Sequence, residues 1–251
     1  MQYNDNRYGQ QPQPSDLFPS LWGSSEELER ATTSCLARVF MRMFAALLVT
    51  AGVSFGIYQS PGAAEYLIEN PMLIIGMIVL QFVLVLILSF RVMKMSPAVS
   101  NFMFFLYAIL MGVTLSFIFI GYNLGTIFQA FAVSALMFAA MAIYGTITRR
   151  DLTRIGSICF MGLIGIIIAS FVNLLFFRDD MLSIIICYIG VLVFVGLTAY
   201  DTQRIKKMLA EANAASHEEA IMKISVMGAL ILYLDFLNLF LKILAIMGRR
   251  R

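Results

Sequence analysis

Two aspartates, Asp201 in GLTAYDTQRIK and Asp235 in GALILYLDFLNLF, lie inside apolar sequence of lipid-crossing length. A carboxylate at the bilayer centre costs roughly 2.5–3.5 kcal/mol even on lenient insertion scales, so such residues face a partner or a water-filled cavity. If the two carboxyl groups approach, a low-dielectric site cannot keep both ionised, and one proton is shared between them. The protonated pair joins two helices through a hydrogen bond and the ionised pair repels, which makes a pH-sensitive latch. The residues leave a second reading open, in which each aspartate separately makes a structural hydrogen bond or pairs with a nearby base such as Lys206 or Lys242.

Other polar groups sit at positions that could join this site. Asn238 falls one helical turn from Asp235 and shares a face with it and with Leu232 and Leu239. The hydroxyls of Tyr200 and Tyr233 can extend a polar network, although both tyrosines read equally well as packing or interfacial aromatics. Gln81 lies in the middle of an apolar run, where an amide bonds another helix or faces a cavity. Arg91 ends the same run and either snorkels to the interface or turns inward towards the aspartates.

Enzyme chemistry finds little support. Tyr200-Asp201 supplies the YD dipeptide of intramembrane aspartyl proteases, but the second aspartate reads YLD where that class needs GxGD. The single histidine, His217, stands in a polar stretch beside Glu218 and Glu219, so no embedded Ser-His pair or His-rich metal site is formed. Cys35, Cys159 and Cys187 are an odd number without a CxxC, and they read as small buried hydrophobes. Gly52 and Gly56 fit GxxxG, a mark of close helix packing. No enzymatic activity, tightly bound cofactor or nucleic-acid partner is expected.

The elements that must position the aspartates are membrane spans. A chain that is 60% hydrophobic and only 13% charged cannot cover a water-soluble globule with polar surface. The expected fold class is an all-α integral membrane protein, with the lipid bilayer as its first partner. Seven transmembrane helices are expected, at about 39–58, 72–90, 102–120, 126–147, 155–177, 183–202 and 224–247. Residues 1–22, with QQPQPS, read as a disordered polar tail before a membrane domain at 23–251. Ser24 to Glu27 and Ser216 to Glu219 fit capping boxes that open the first and last helices.

Lys and Arg concentrate in alternate loops, at Arg30, Arg38 and Arg42, then Arg91 and Lys94, then Arg149, Arg150 and Arg154, then Arg204, Lys206, Lys207 and Lys223. That bias places the N-terminus in the cytoplasm and accounts for the net charge of +3. Seven full spans then leave Arg249, Arg250 and Arg251 outside, whereas a re-entrant last segment around Asp235 would keep them inside. Seven full spans are favoured, because the rule weights early loops. Asp201 falls near the cytoplasmic end of its span, and Asp235, counted from Gly228, lies about 10 Å inside the same face.

TAYDTQRIK (Thr198 to Lys206), ALILYLDFLNLFLKIL (Ala229 to Leu244) and TRRDL (Thr148 to Leu152), within seven spans, resemble the Bax inhibitor-1 (transmembrane Bax inhibitor motif) family and its bacterial inner-membrane branch. The likeness runs from about Ala37 to Arg250. It implies a central last helix wrapped by six others and a pH-sensitive passive calcium leak. In that picture a di-aspartyl pair, here Asp201 and Asp235, regulates closure at the cytoplasmic side. It also implies an acidic residue and an arginine on the second span, where this chain has Gln81 and, within about one residue, Arg91. Calcium is then a permeant ion with at most a weak transit site at Asp201 and Asp235, since a hard cation wants more oxygen ligands. A second reading is a regulatory membrane protein that modulates a membrane protease or another membrane protein through its N-terminal tail.

Overall fold

The computed structural model describes residues 25–215 and 217–248. The polar tail, the Ser24 and Ser216 capping residues and Arg249 to Arg251 lie outside the described residues. The helices are α1 (Ser25–Tyr58), α2 (Pro61–Glu69), α3 (Pro71–Arg91), α4 (Pro97–Leu115), α5 (Ile118–Gly121), α6 (Leu124–Ile147), α7 (Thr153–Val172), α8 (Asp180–Ala214) and α9 (Glu218–Gly248). Seven helical segments among the described residues are long and apolar enough to cross a membrane; α2 is not one of them, and the short α5 continues the segment of α4.

Local chemistry sets the boundaries. Proline occupies the first turn of α2, α3 and α4, where a missing N–H costs nothing. Ser96, Asn123 and Asp179 cap α4, α6 and α8 by accepting from Val99, Thr126 and Met181. The α7–α8 corner is knotted by Asn173, whose Nδ2 donates to the Asp179 carbonyl (3.0 Å) and to Ser183 Oγ (2.7 Å).

α9 sits at the centre. Ala229, Leu230, Leu232, Tyr233, Asp235, Phe236 and Leu237 are all buried and cover most of the helix circumference, leaving a half-buried sector of Ile231, Leu234 and Asn238. Four long helices, α1, α4, α6 and α8, pack directly on it; α3 is carried by α4, and α7 by α8. The central last helix therefore matches the expectation, with four of the six other spans in extended contact with it. α3 and α7 form an outer layer and present large apolar residues such as Phe82, Phe160 and Ile167 outwards.

Three further differences from the sequence reading have physical causes. α8 runs on to Ala214 instead of ending near 202, because Ile205, Leu209 and Ala212 recur at helical spacing and are buried. Its extension reaches α1, where Asn213 contacts the Cys35 sulfur. Gly52 and Gly56 are exposed with no neighbour among the described residues, so the GxxxG of α1 is not a packing seam in this chain. The close crossings lie elsewhere: Gly145 of α6 meets the Ala199 carbonyl of α8, and Gly156 of α7 lies 2.5 Å, measured from a notional Cβ, from the Tyr200 ring. Finally, α9 is one continuous helix of 31 residues, about 46 Å, which excludes a re-entrant turn around Asp235. Its far end, Gly248, packs on Tyr122 in the turn before α6.

Candidate functional site

Asp201 and Asp235 project from α8 and α9, the two helices that form the terminal hairpin, and both are buried, at 9% and 6% exposure. Their carboxyl groups lie close enough to interact with each other across α8 and α9. Two carboxylates have no proton to donate, so one member of the pair must carry one for this contact to be attractive. Asp235 Oδ2 is buried without a hydrogen-bond partner among the described residues. The pair closes the floor of a cavity of ≈ 970 Å³ lined by α3, α7, α8 and α9.

Why the pair is placed here follows from the crossings beneath it. The tight Gly145–Ala199 and Gly156–Tyr200 contacts hold α6 and α7 against the very turn of α8 that carries Asp201. Arg204, exposed and one turn further on, lines the same cavity and lies close enough to attract Asp201 electrostatically. Tyr200 and Asn238 also line it. Asn238 Nδ2 donates to the Leu234 carbonyl of its own helix at 2.9 Å, so it borders the pair rather than bonding it.

The remaining candidates are elsewhere. Tyr233 points two residues' rotation away from Asp235, into α1 and α4, where its hydroxyl lies 2.7 Å from Thr50 Oγ1. Thr50 spends its own proton on the Ala108 carbonyl (2.9 Å), so Tyr233 is the donor. Gln81 donates to Thr114 Oγ1 at 2.7 Å and pins α3 to α4. Arg91 is exposed at the end of α3 and does not line the cavity, which selects its snorkelling reading. Lys206 is equally separate from the aspartates, since its Nζ donates to the Thr146 carbonyl at 3.0 Å. Lys242 packs its stem over Gly190 and faces two smaller cavities. Of the bases that the sequence offered to the aspartates, Lys206 bonds elsewhere and Lys242 lies along two other cavities. Of the cysteines only Cys35 is fully buried; Cys159 and Cys187 are half-buried.

One neighbour shares the α8 face of Ala199 and Lys206 and sits two residues from Asp201, but its partner is not readable from the sequence. Gln203 is buried and clamps the TRRDL loop: its Oε1 accepts the Leu152 N–H (3.0 Å), and its Nε2 donates to the carbonyls of Arg150 (2.8 Å) and Thr148 (3.5 Å). Asp151 completes the loop, accepting from Thr153 Oγ1 (2.7 Å) and from Lys207 Nζ (3.0 Å). Those bonds, that of Thr153 first, hold the Asp151 carboxyl below the usual carboxylate range. An amide placed beside a buried acid is the available signal, but the partner loop lies about 50 residues upstream and adjacency cannot be read from sequence.

A seven-helix membrane protein with a central last helix and an acidic pair between its final two helices defines a class. The family model described as "Inhibitor of apoptosis-promoting Bax1" matches residues 32–251. The chain belongs to the Bax inhibitor-1 family. It is 45% identical over 216 residues to the inner membrane protein YbhL of Escherichia coli K12, covering 86% of this chain and 92% of that protein. It is 42% identical over the same length to an uncharacterised protein of Borreliella burgdorferi, and 36% identical over 215 residues to one of Deinococcus radiodurans, which it covers to 90%.

Proposed function

We propose that this protein is a passive, pH-sensitive cation leak, with calcium as a permeant ion, whose closed state is held by the Asp201–Asp235 pair at the cytoplasmic side. The observation that carries the reading is a pair of buried, mutually interacting carboxyl groups on α8 and α9 that line one large cavity. A pair of this kind joins the helices while it shares a proton, and electrostatic repulsion opposes it once both groups ionise. An N-terminus in the cytoplasm agrees with the basic residues of the TRRDL loop and the α8 extension, at the end where Asp201 lies. Calcium would be a passing ion: two carboxyl groups and the neighbouring Asn238 offer too few oxygens for tight binding.

The test is flux into liposomes loaded with a calcium dye, measured across pH. The wild type should leak with a pH dependence that Asp201→Asn and Asp235→Asn together abolish. No flux at any pH, or an unaltered profile in the double variant, refutes the reading.

A further inference from the structure

The cavity above the aspartates opens sideways. α3 packs on α4 and α7 on α8, and no extended contact among the described residues joins α3 to α7. In the gap between them the α9 face with Ile231, Leu234 and Asp235 forms the floor, while exposed Phe82 of α3 and Phe160 of α7 form the rim. A crevice whose rim side chains belong to the lipid-facing layer is reached from the bilayer, not only from water. Its lining on α7 runs from Thr153 to Ile167, about 21 Å along the helix, which exceeds the depth of one leaflet, about 15 Å.

The polar end of the crevice has a definite charge pattern. With one proton shared, as in the function proposed above, the carboxyl pair carries a single negative charge, and Asp235 Oδ2 is buried with no hydrogen-bond partner among the described residues. Arg204 supplies one positive charge, a single turn along α8 from Asp201, where Cβ atoms are about 5–6 Å apart. A ligand that satisfies both needs an ammonium with N–H donors, a phosphate a two-carbon bridge away, and a long apolar tail. A divalent cation would satisfy the carboxyls but would repel Arg204 and leave the apolar walls unused.

We propose that this crevice binds an aminophospholipid, with its ammonium on Asp235 and Asp201, its phosphate at Arg204 and an acyl chain between α3 and α7. The choline headgroup is disfavoured because its trimethylammonium has no N–H to offer Asp235 Oδ2, and a glycerol headgroup because it has no cation. Binding of this kind rests on the shared proton of the proposed latch but not on whether ions pass, so failure of lipid binding and failure of flux are distinguishable.

The full-length protein, delipidated in detergent, is titrated with phosphatidylethanolamine, phosphatidylcholine or phosphatidylglycerol, and lipid retention is read by native mass spectrometry. Losing a charge-assisted hydrogen bond predicts about a tenfold preference for phosphatidylethanolamine over each of the others. Asp235→Asn should remove the preference over phosphatidylcholine, and Arg204→Gln should weaken retention of phosphatidylethanolamine and phosphatidylglycerol alike. Equal retention of the three lipids, or a preference that survives Asp235→Asn, overturns the proposal. A second measurement needs no variant: a phosphatidylethanolamine with a photoreactive acyl chain should label peptides of α3 and α7. Labelling confined to the separate apolar cavity lined by Leu47, Phe128 and Phe240 also overturns it.

Discussion

Replacing Gln203 by alanine should loosen the hold of α8 on the TRRDL loop, leaving the Lys207–Asp151 bond in place and touching neither aspartate. The side chain makes two short bonds to that loop, from Leu152 N–H at 3.0 Å and to the Arg150 carbonyl at 2.8 Å, and a long third one to Thr148 at 3.5 Å. Each short bond contributes about 0.5–1.5 kcal/mol, and the Leu152 amide, on a residue only 2% exposed, would also be left unpaired, at about 1–3 kcal/mol. Allowing for overlap between these terms, the loss is about 2–4 kcal/mol. If exchange of the Leu152 amide proceeds through local opening of the clamp, that loss accelerates it by about 30- to 1000-fold, since each 1.4 kcal/mol is tenfold. The assay is hydrogen–deuterium exchange of the 148–152 peptide in detergent or nanodiscs, with thermal stability measured alongside. Gln203→Glu keeps the acceptor for Leu152 and loses the donor for Arg150, so it should keep much of the Leu152 protection. Unchanged exchange at Leu152 in Gln203→Ala refutes the clamp.

Three more outcomes follow from the same contacts. Tyr233→Phe removes a buried donor to Thr50, whose own bond to Ala108 persists, and should cost about 1 kcal/mol in a denaturant titration while leaving any pH-dependent flux intact. Gln81→Leu frees the Thr114 hydroxyl, which retains its 3.3 Å bond to the Leu110 carbonyl, and should leave the pH profile of flux unmoved; a displaced profile would return Gln81 to the pathway. The folded Asp151 carboxyl binds its proton less readily than a free one, so its help in holding the loop is complete above the ordinary carboxylate range and fades as pH falls through its lowered value. The protection of residues 148–152, corrected for the intrinsic pH dependence of exchange, should therefore be the same in wild type at about pH 6 and pH 8, and Asp151→Asn should be less protected than wild type at both.

The span count and the burial of Asp201 and Asp235 beside a cavity were legible because lipid imposes strong rules: length, apolarity and charge bias act on each segment alone. What lay beyond the sequence depends on helix rotation. Asn238 and Tyr233 look like equal neighbours of Asp235 along the chain, yet two residues of helical turn send Tyr233 to Thr50 while Asn238 stays beside the cavity. Gln81 and Gly52 illustrate the same limit, one satisfied by α4 and the other facing outwards. The extension of α8 past Asp201 was hidden for another reason. Its buried stripe of Ile205, Leu209 and Ala212 is interleaved with Lys206, Lys207 and Glu211, so mean apolarity falls while amphipathic periodicity continues.

The central claim is that a proton shared by Asp201 and Asp235 latches α8 to α9. The direct measurement is an experimental structure of the full chain in lipid at two pH values, one on each side of the midpoint of its flux. The latch predicts carboxyl groups in hydrogen-bond contact at the lower pH and parted, with α8 and α9 displaced, at the higher. An identical contact and identical helix packing at both values, or carboxyl groups beyond hydrogen-bond reach at the lower one, would contradict it.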